Sequence, residues 1–438
     1  MSRTALVANA GSRLGAIAAA ALIAAGYRVI ELDDQGDAAW EAAIERLAAG
    51  RSSVDLIVTA PDTDRAPTEP EGVIATAWRG AKFALPLFAA QGAGILLTLG
   101  FAPVAHGAVP GSDAAAESIR LLTAAALHDA QKAGVSLRSN RLYCADDASP
   151  EALAETVLFF ADARSQFMSG AEITLGNRRG SANANLHGKT LLVTGATSGI
   201  GRATAIEIGR LGGFVVVGGR KLDLAEQTLA MVREDGGDGM VVRLDVTDPA
   251  EWGAAGDAID TARGALHGLV NNAGESRNRP ISDLTSADLD FLTGINCRGV
   301  RLGTEALAPL MAREGAAVLN ISSVAGIRAG PGGSAYSASK AAMVGLSRGY
   351  AEQFAGIGNG IRVNSLLPGL VWSDSVADSL GEDGARAFRA MIEPKTPLGR
   401  VGLPNEVGTV IAFLLSDAAA AVTGQTVTVS GGLELAYP

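Results

Sequence analysis

The stretch TLLVTGATSGIG at 190–201 decides how the rest of the chain is read. Its first five residues are apolar or β-branched, as a short buried strand requires. Glycines follow at 195, 199 and 201, and a helical pattern begins near Arg202. Strand, glycine-rich turn and helix in that order open a dinucleotide-binding unit. The glycines let backbone approach a pyrophosphate, and free N–H groups at the helix N-terminus bind its charge. A glycine turn alone carries little weight, so the reading depends on what surrounds it.

Upstream, TALVANAGSRLG at 4–15 repeats the pattern at an offset of 186 residues. IVTAP at 57–61 matches VNNAG at 270–274, GAGILLTLG at 92–100 matches GAAVLNISS at 315–323, and SGAEITL at 169–175 matches TGQTVTV at 423–429. The offset grows to 213, then 223, then 254, so the first copy lacks material at definite places. Between the copies, GNRRGSANANLHGK at 176–189 has no apolar periodicity and reads as a linker. Two α/β domains are therefore expected, 1–183 and 184–438, each a Rossmann-like doubly wound parallel sheet and the first degenerate. Strands of the second are expected near 189–194, 214–219, 239–244, 268–272, 316–322, 361–366 and 425–430.

Composition narrows the partner classes. The 438 residues are 48% hydrophobic, ample for real cores, and the net charge of −10 gives no basic excess. Neither nucleic acid nor a membrane surface is an expected partner. The run AIAAAALIAA at 16–25 is too short to span a bilayer and follows a strand-like segment, so an export signal is not expected. Two cysteines, Cys144 and Cys297, are too few for a disulfide framework or a thiolate zinc site, which points to the cytoplasm. With no clustered His or Cys, no metal is expected.

The second half carries further signals: NNAG at 271–274, Asn296 in GINCRG, Ser323 in NISSVAG, Tyr336 and Lys340 in YSASK, and PG at 368–369. On a helix Tyr336 and Lys340 are i and i+4 and share a face. An ammonium beside a phenol stabilises the phenolate and fits it for proton transfer near neutral pH. In isolation the pair would read as a core tyrosine beside a solvated lysine. Taken with the spacing of Ser323, thirteen residues earlier, and with the glycine turn, the set resembles the short-chain dehydrogenase/reductase family over essentially all of 187–438.

That resemblance implies specific roles. Tyr336 exchanges the proton with the substrate oxygen, Ser323 hydrogen-bonds the same oxygen, Lys340 holds the nicotinamide ribose and tunes Tyr336, and Asn296 anchors a water leading to Lys340. Gly195, Thr197, Ser198, Gly199, Ile200 and Gly201 would cradle the pyrophosphate. Asp245 and Val246 would meet adenine, and Asn272, Ala273 and Gly274 the riboses. Pro368, Gly369 and Val371 would face the carboxamide, with Ser373 where the family usually has Thr. The family's NAD-preferring members carry Asp where Gly219 stands. A small residue followed by Arg220 leaves room for a 2′-phosphate and supplies a cation, so NADP(H) is preferred and NAD(H) remains possible.

The segment 372–400 is expected to be the substrate lid, with Trp372, Phe388 and Met391 lining an apolar pocket and Arg386 or Arg389 meeting an anionic group. In the first copy Asn9 replaces Gly195, Arg13 replaces Gly199 and Gly100 replaces Ser323, and 113–118 holds neither Tyr nor Lys. No reductase site is expected there. The two-domain layout resembles the long 3-oxoacyl-carrier-protein reductases, whose first domain is flavodoxin-like. Reduction of a 3-oxoacyl thioester, bound to coenzyme A or acyl-carrier protein, is the leading expectation. The alternatives are an NAD-linked secondary alcohol or hydroxyacyl-CoA dehydrogenase, and a non-catalytic nucleotide-sensing scaffold. A homodimer, built as a pseudo-tetramer of related domains, is the expected assembly.

Overall fold

The computed structural model describes residues 3–49, 53–62, 71–102, 110–176, 184–277, 279–330 and 332–435. The chain forms two compact units, one of residues up to 182 with 390–401 and 430 onward, the other of 183–389 with 402–429. Most of the expected linker, 177–183, lies outside the described residues.

The first unit has six parallel strands, β1 (Thr4–Ala8), β2 (Arg28–Leu32), β3 (Leu56–Thr59), β4 (Ala93–Phe101), β5 (Ser136–Cys144) and β6 (Glu172–Leu175), in the order β2-β1-β3-β4-β5-β6. Its helices are α1 (Arg13–Ala24), α2 (Asp37–Ala49), α3 (Glu71–Gln91), α4 (Pro110–Lys132) and α5 (Pro150–Ala161). One core gathers Leu6, Ile57 and Leu96 from the sheet with Trp40, Phe88 and Leu127 from helices. This is the flavodoxin-like strand order, extended by one edge strand.

The first unit also takes in two later segments. Gln131 Nε2 donates to the carbonyls of Pro394 and Thr396, at 2.8 and 3.0 Å, and Gly431 N–H donates to the Phe167 carbonyl. Leu435 packs on the core around Trp40 and Phe88. A single cut after residue 183 therefore does not divide the chain by packing, because the last part of the expected lid, 390–401, and the C-terminal turn belong with the first unit.

The second unit has seven parallel strands: β7 (Thr190–Thr194), β8 (Phe214–Gly219), β9 (Asp238–Arg243), β10 (Gly268–Asn271), β11 (Ala317–Ile321), β12 (Arg362–Pro368) and β13 (Thr426–Val429). Their order is β13-β12-β11-β10-β7-β8-β9. Every expected strand is present within two residues of its expected bounds. The strands β7, β11 and β12 are buried throughout, as a parallel sheet covered on both faces demands. The helices are α6 (Gly199–Arg210), α7 (Leu222–Glu234), α8 (Pro249–Arg263), α9 (Ser286–Thr293), α10 (Gly299–Met311), α11 (Ser334–Ile357), α12 (Asp374–Ile392) and α13 (Pro404–Leu415), with α12 broken at Gly381.

Matched from β7 outward, the sheets correspond strand for strand except that the first has no partner for β9. The offset rises from 186 to 213 at that place, so the missing sequence is one edge strand and the helix that follows it. The switch between strand directions of travel falls at β7 and β10 in the second sheet, which places the ligand crevice at their C-terminal ends.

Candidate active site

The glycine turn leaves β7 at Gly195, whose φ of 61° lies in the left-handed region, and a side chain there would meet Ala273 Cα at 2.9 Å. A Cβ on Gly201 would come within 2.4 Å of the Gly195 carbonyl oxygen and 2.5 Å of Asn272 Nδ2. Asn272 ties the turn to β10, its Nδ2 donating to the carbonyls of Thr194 and Gly195, while Thr194 Oγ1 accepts from the N–H groups of Asn272 and Ala273. Ser198 begins α6 without capping it through its own side chain, so these N–H groups face the crevice. Ile200 follows in the first turn of α6. The turn is therefore braced from below and carries no side chain at its three glycines, which fits a dinucleotide phosphate.

Around it stand the other expected cofactor contacts. A Cβ on Gly219 would lie 2.7 Å from Thr197 Cγ2, so the small residue at the end of β8 packs directly under the turn. Asp245 accepts from Thr247 N–H and Oγ1 at 2.9 and 2.8 Å, and these hydrogen bonds, helped by Arg220 and Arg243, hold its carboxyl below the usual range. Val246 is buried beside Gly299. Pro368 ends β12, and Gly369 N–H donates to the Val429 carbonyl. Val371 bridges to Gly402, and a Cβ on Gly199 would be 3.6 Å from Ser373 Cβ, which places Ser373 over the glycine turn.

The four candidate catalytic residues come from three elements of the second unit. Asn296 sits in a widened helical turn, 294–298, between α9 and α10. It is fully buried, with Oδ1 accepting from Glu275 N–H at 3.1 Å and Nδ2 donating to the Glu275 carbonyl and Ser339 Oγ. Ser323 follows β11, and Tyr336 and Lys340 lie one turn apart on α11. A Cβ on Gly274 would stand 3.1 Å from both Asn296 Oδ1 and Lys340 Nζ, so Gly274 is the gap across which these groups meet.

Lys340 is 4% exposed, and its Nζ donates to the Ile321 carbonyl at 2.8 Å. Burial pushes its pKa down to about 8, so it remains mostly an ammonium at pH 7. Tyr336 corrects one expectation. Burial raises its phenol above the ordinary value, and the hydrogen bond with Ser323 offsets this only in part. The ammonium does not dominate because Nζ is 5.8 Å from the Tyr336 ring centre and is turned to Ile321. The phenol is thus firmly protonated at neutral pH.

The lid residues behave less simply. Arg389 lies over the Trp372 ring, at 5.5 Å, and Arg386 pairs with Asp383. Met391 is half exposed and groups with the first unit. Sequence reasoning missed Glu275, which follows NNAG directly and whose backbone holds Asn296 on both sides. Among the described residues no cluster of His, Cys, Asp or Glu could hold a metal, and no helix is long and apolar enough to cross a membrane.

The sheet order, bare glycine turn and the gathered Asn, Ser, Tyr and Lys define a dinucleotide-dependent oxidoreductase fold. Residues 195–434 match the family model described as Enoyl-(Acyl carrier protein) reductase, and the chain belongs to the short-chain dehydrogenase/reductase family. It is 36% identical over 253 residues to the 3-oxoacyl-[acyl-carrier-protein] reductase of Thermotoga maritima, covering 57% of this chain and 98% of that protein. It is 35% identical over 245 residues to cyclopentanol dehydrogenase of Comamonas testosteroni, covering 56% and 96%. Among solved structures it resembles levodione reductase (TM-score 0.55, 33% identity, covering 58% and 100%). It also resembles a gluconate 5-dehydrogenase from Burkholderia cenocepacia in complex with NADP and tartrate (TM-score 0.55, 32% identity, covering 58% and 98%).

Proposed function

We propose that the chain reduces a ketone to a secondary alcohol, preferring NADPH, with 3-oxoacyl thioesters as its first substrate class. The observation that carries the reading is the gathering of Ser323, Tyr336, Lys340 and Asn296 in the unit that keeps the glycine turn. A bound nicotinamide supplies the hydride. Ser323 and Tyr336 hydrogen-bond the substrate carbonyl oxygen, where negative charge develops as hydride arrives. Tyr336 then gives its Oη proton to that oxygen, and a phenol held above its ordinary pKa is in the form that donates. Lys340, fixed by Ile321 and charged at neutral pH, favours the phenolate that remains. Asn296, clamped by Glu275, borders the gap at Gly274 through which a proton returns.

The preference for NADPH rests on Gly219 and Arg220, and the substrate class on similarity to the Thermotoga reductase and on the two-unit layout, which resembles the long 3-oxoacyl-carrier-protein reductases. The first unit serves as a built-in, non-catalytic partner. A groove of about 870 Å³ bordered by Cys297, Arg301, Leu346 and Tyr350, on α10, α11 and the widened turn, is where a second copy of the chain would pack. Turnover of acetoacetyl-CoA, longer 3-oxoacyl thioesters, cyclic ketones and keto-sugars with NADPH and NADH tests the reading. The thioesters with NADPH should give the highest kcat/KM, and faster reaction of a cyclic ketone or sugar, or of NADH, would overturn the corresponding assignment.

A further inference from the structure

Arg220 stands at the end of β8 and Glu275 just past the end of β10, with β7 between these two strands. Neighbouring strands lie about 4.8 Å apart, so only two long side chains can meet across β7. They do: Arg220 Nη2 lies 3.9 Å from Glu275 Oε1. The pair spans the mouth of the crevice above the glycine turn, where a dinucleotide must lie. Both side chains are well exposed, at 62% and 45%, whereas the Glu275 backbone is fixed by its two hydrogen bonds to Asn296. The carboxylate can therefore swing while its root stays in place.

We infer that Glu275 is a specificity-determining residue whose carboxylate occupies Arg220 in place of the cofactor 2′-phosphate and so moderates the preference for NADP(H). The inference rests on the reading of Arg220 as the 2′-phosphate cation. An incoming 2′-phosphate must displace this carboxylate from the guanidinium and remain near its charge. NADH, which needs no cation at that corner, meets neither cost. Asp245 adds a second negative charge close by, as its lowered pKa shows through Arg220. Arg220 thus faces two carboxylates, of which Asp245 is also shared with Arg243, and removing Glu275 frees it for phosphate. Because the ion pair is loose and exposed, its contribution is small.

The test is a double-mutant cycle on the full chain, reading Kd for NADPH and NADH by fluorescence titration. Glu275→Gln should tighten NADPH about two- to fivefold, the range an exposed pair supports, and leave NADH within about twofold. Arg220→Ala should weaken NADPH, and adding Glu275→Gln to it should give no further gain. An unchanged NADPH Kd in Glu275→Gln, or an equal gain for NADH, overturns the inference while the Arg220 assignment stands. If Arg220→Ala itself leaves NADPH affinity unchanged, the cofactor assignment and the inference fall together.

Discussion

Asn9 and Gly195 leave corresponding strands at the same turn, and both have a left-handed backbone, φ 55° and 61°. In the second unit the position has no side chain. In the first unit Asn9 tolerates the same φ, as asparagine does more readily than other side-chain residues. Its Nδ2 donates to the Ala60 carbonyl and its Oδ1 accepts from Asp34 N–H, so the side chain ties the ends of β2 and β3 together. Ser12 Oγ accepts from Gly15 N–H and caps α1 from within, whereas Ser198 leaves α6 uncapped. Asp34, at the place of Arg220, has a fully buried side chain that accepts from Arg79 Nε and Nη2 and from Trp40 Nε1. Burial opposes its charge, yet hydrogen bonds from Arg79, Thr76 and Trp40 hold the carboxyl below its usual range. A Cβ on Gly100, at the place of Ser323, would lie 2.8 Å from the Tyr143 ring. The same strand order can therefore be finished for a ligand or sealed by its own side chains, and a few residues at strand ends decide which.

If chemistry is confined to the second unit, Tyr336→Phe should lower turnover about 10³-fold, the range for a lost general acid, with NADPH affinity unchanged. Steady-state kinetics and a binding titration check this, and undiminished turnover would point to another proton donor. In the first unit, Arg79→Ala strands a buried carboxylate and should destabilise that unit by about 3 kcal/mol, roughly 150-fold in its folding constant. Calorimetry should show a lowered unfolding transition, while activity measured well below that transition persists. Carrying the first unit's residue into the second, Gly195→Asn should keep the fold by circular dichroism. It should weaken NADPH by roughly 30- to 100-fold, the loss of about one hydrogen bond to a charged group. The smallest effect is the pH response. As pH rises through about 8, Lys340 loses its charge. The reductive rate should hold its plateau below that pH and fall about tenfold for each unit above, and Lys340→Arg should move the falling limb to higher pH.

Much of this contrast is legible in the sequence because it is written in residues whose type is the function. Glycines 195 and 201, the TGATSGIG turn, and the spacing of Ser323, Tyr336 and Lys340 point to a doubly wound parallel sheet and to the place of the site, while the strand order is visible only in the structure. The growing offset of the repeat marks the missing strand at β9. Asn9 marks a blocked turn, but its new partners do not show, since the Ala60 carbonyl and Asp34 N–H are backbone groups from distant segments. Arg79 reaches Asp34 across 45 residues, on a helix where an arginine reads as solvated surface. The raised Tyr336 phenol is hidden for a related reason. It comes from burial of the phenol, which the side chains packed around α11 impose and the YxxxK spacing does not show. The same holds for residues 390–401 and the C-terminal turn, which meet residues far away in sequence, Gln131 through its amide and Phe167 through Arg400 and Gly431.

If only the second of the two Rossmann-like units holds a dinucleotide, the full chain has a single NADPH site. Isothermal titration of NADPH into the full chain counts the sites directly. The account predicts one site per chain, lost or severely weakened in Gly195→Asn, and a second site that survives that substitution would contradict it.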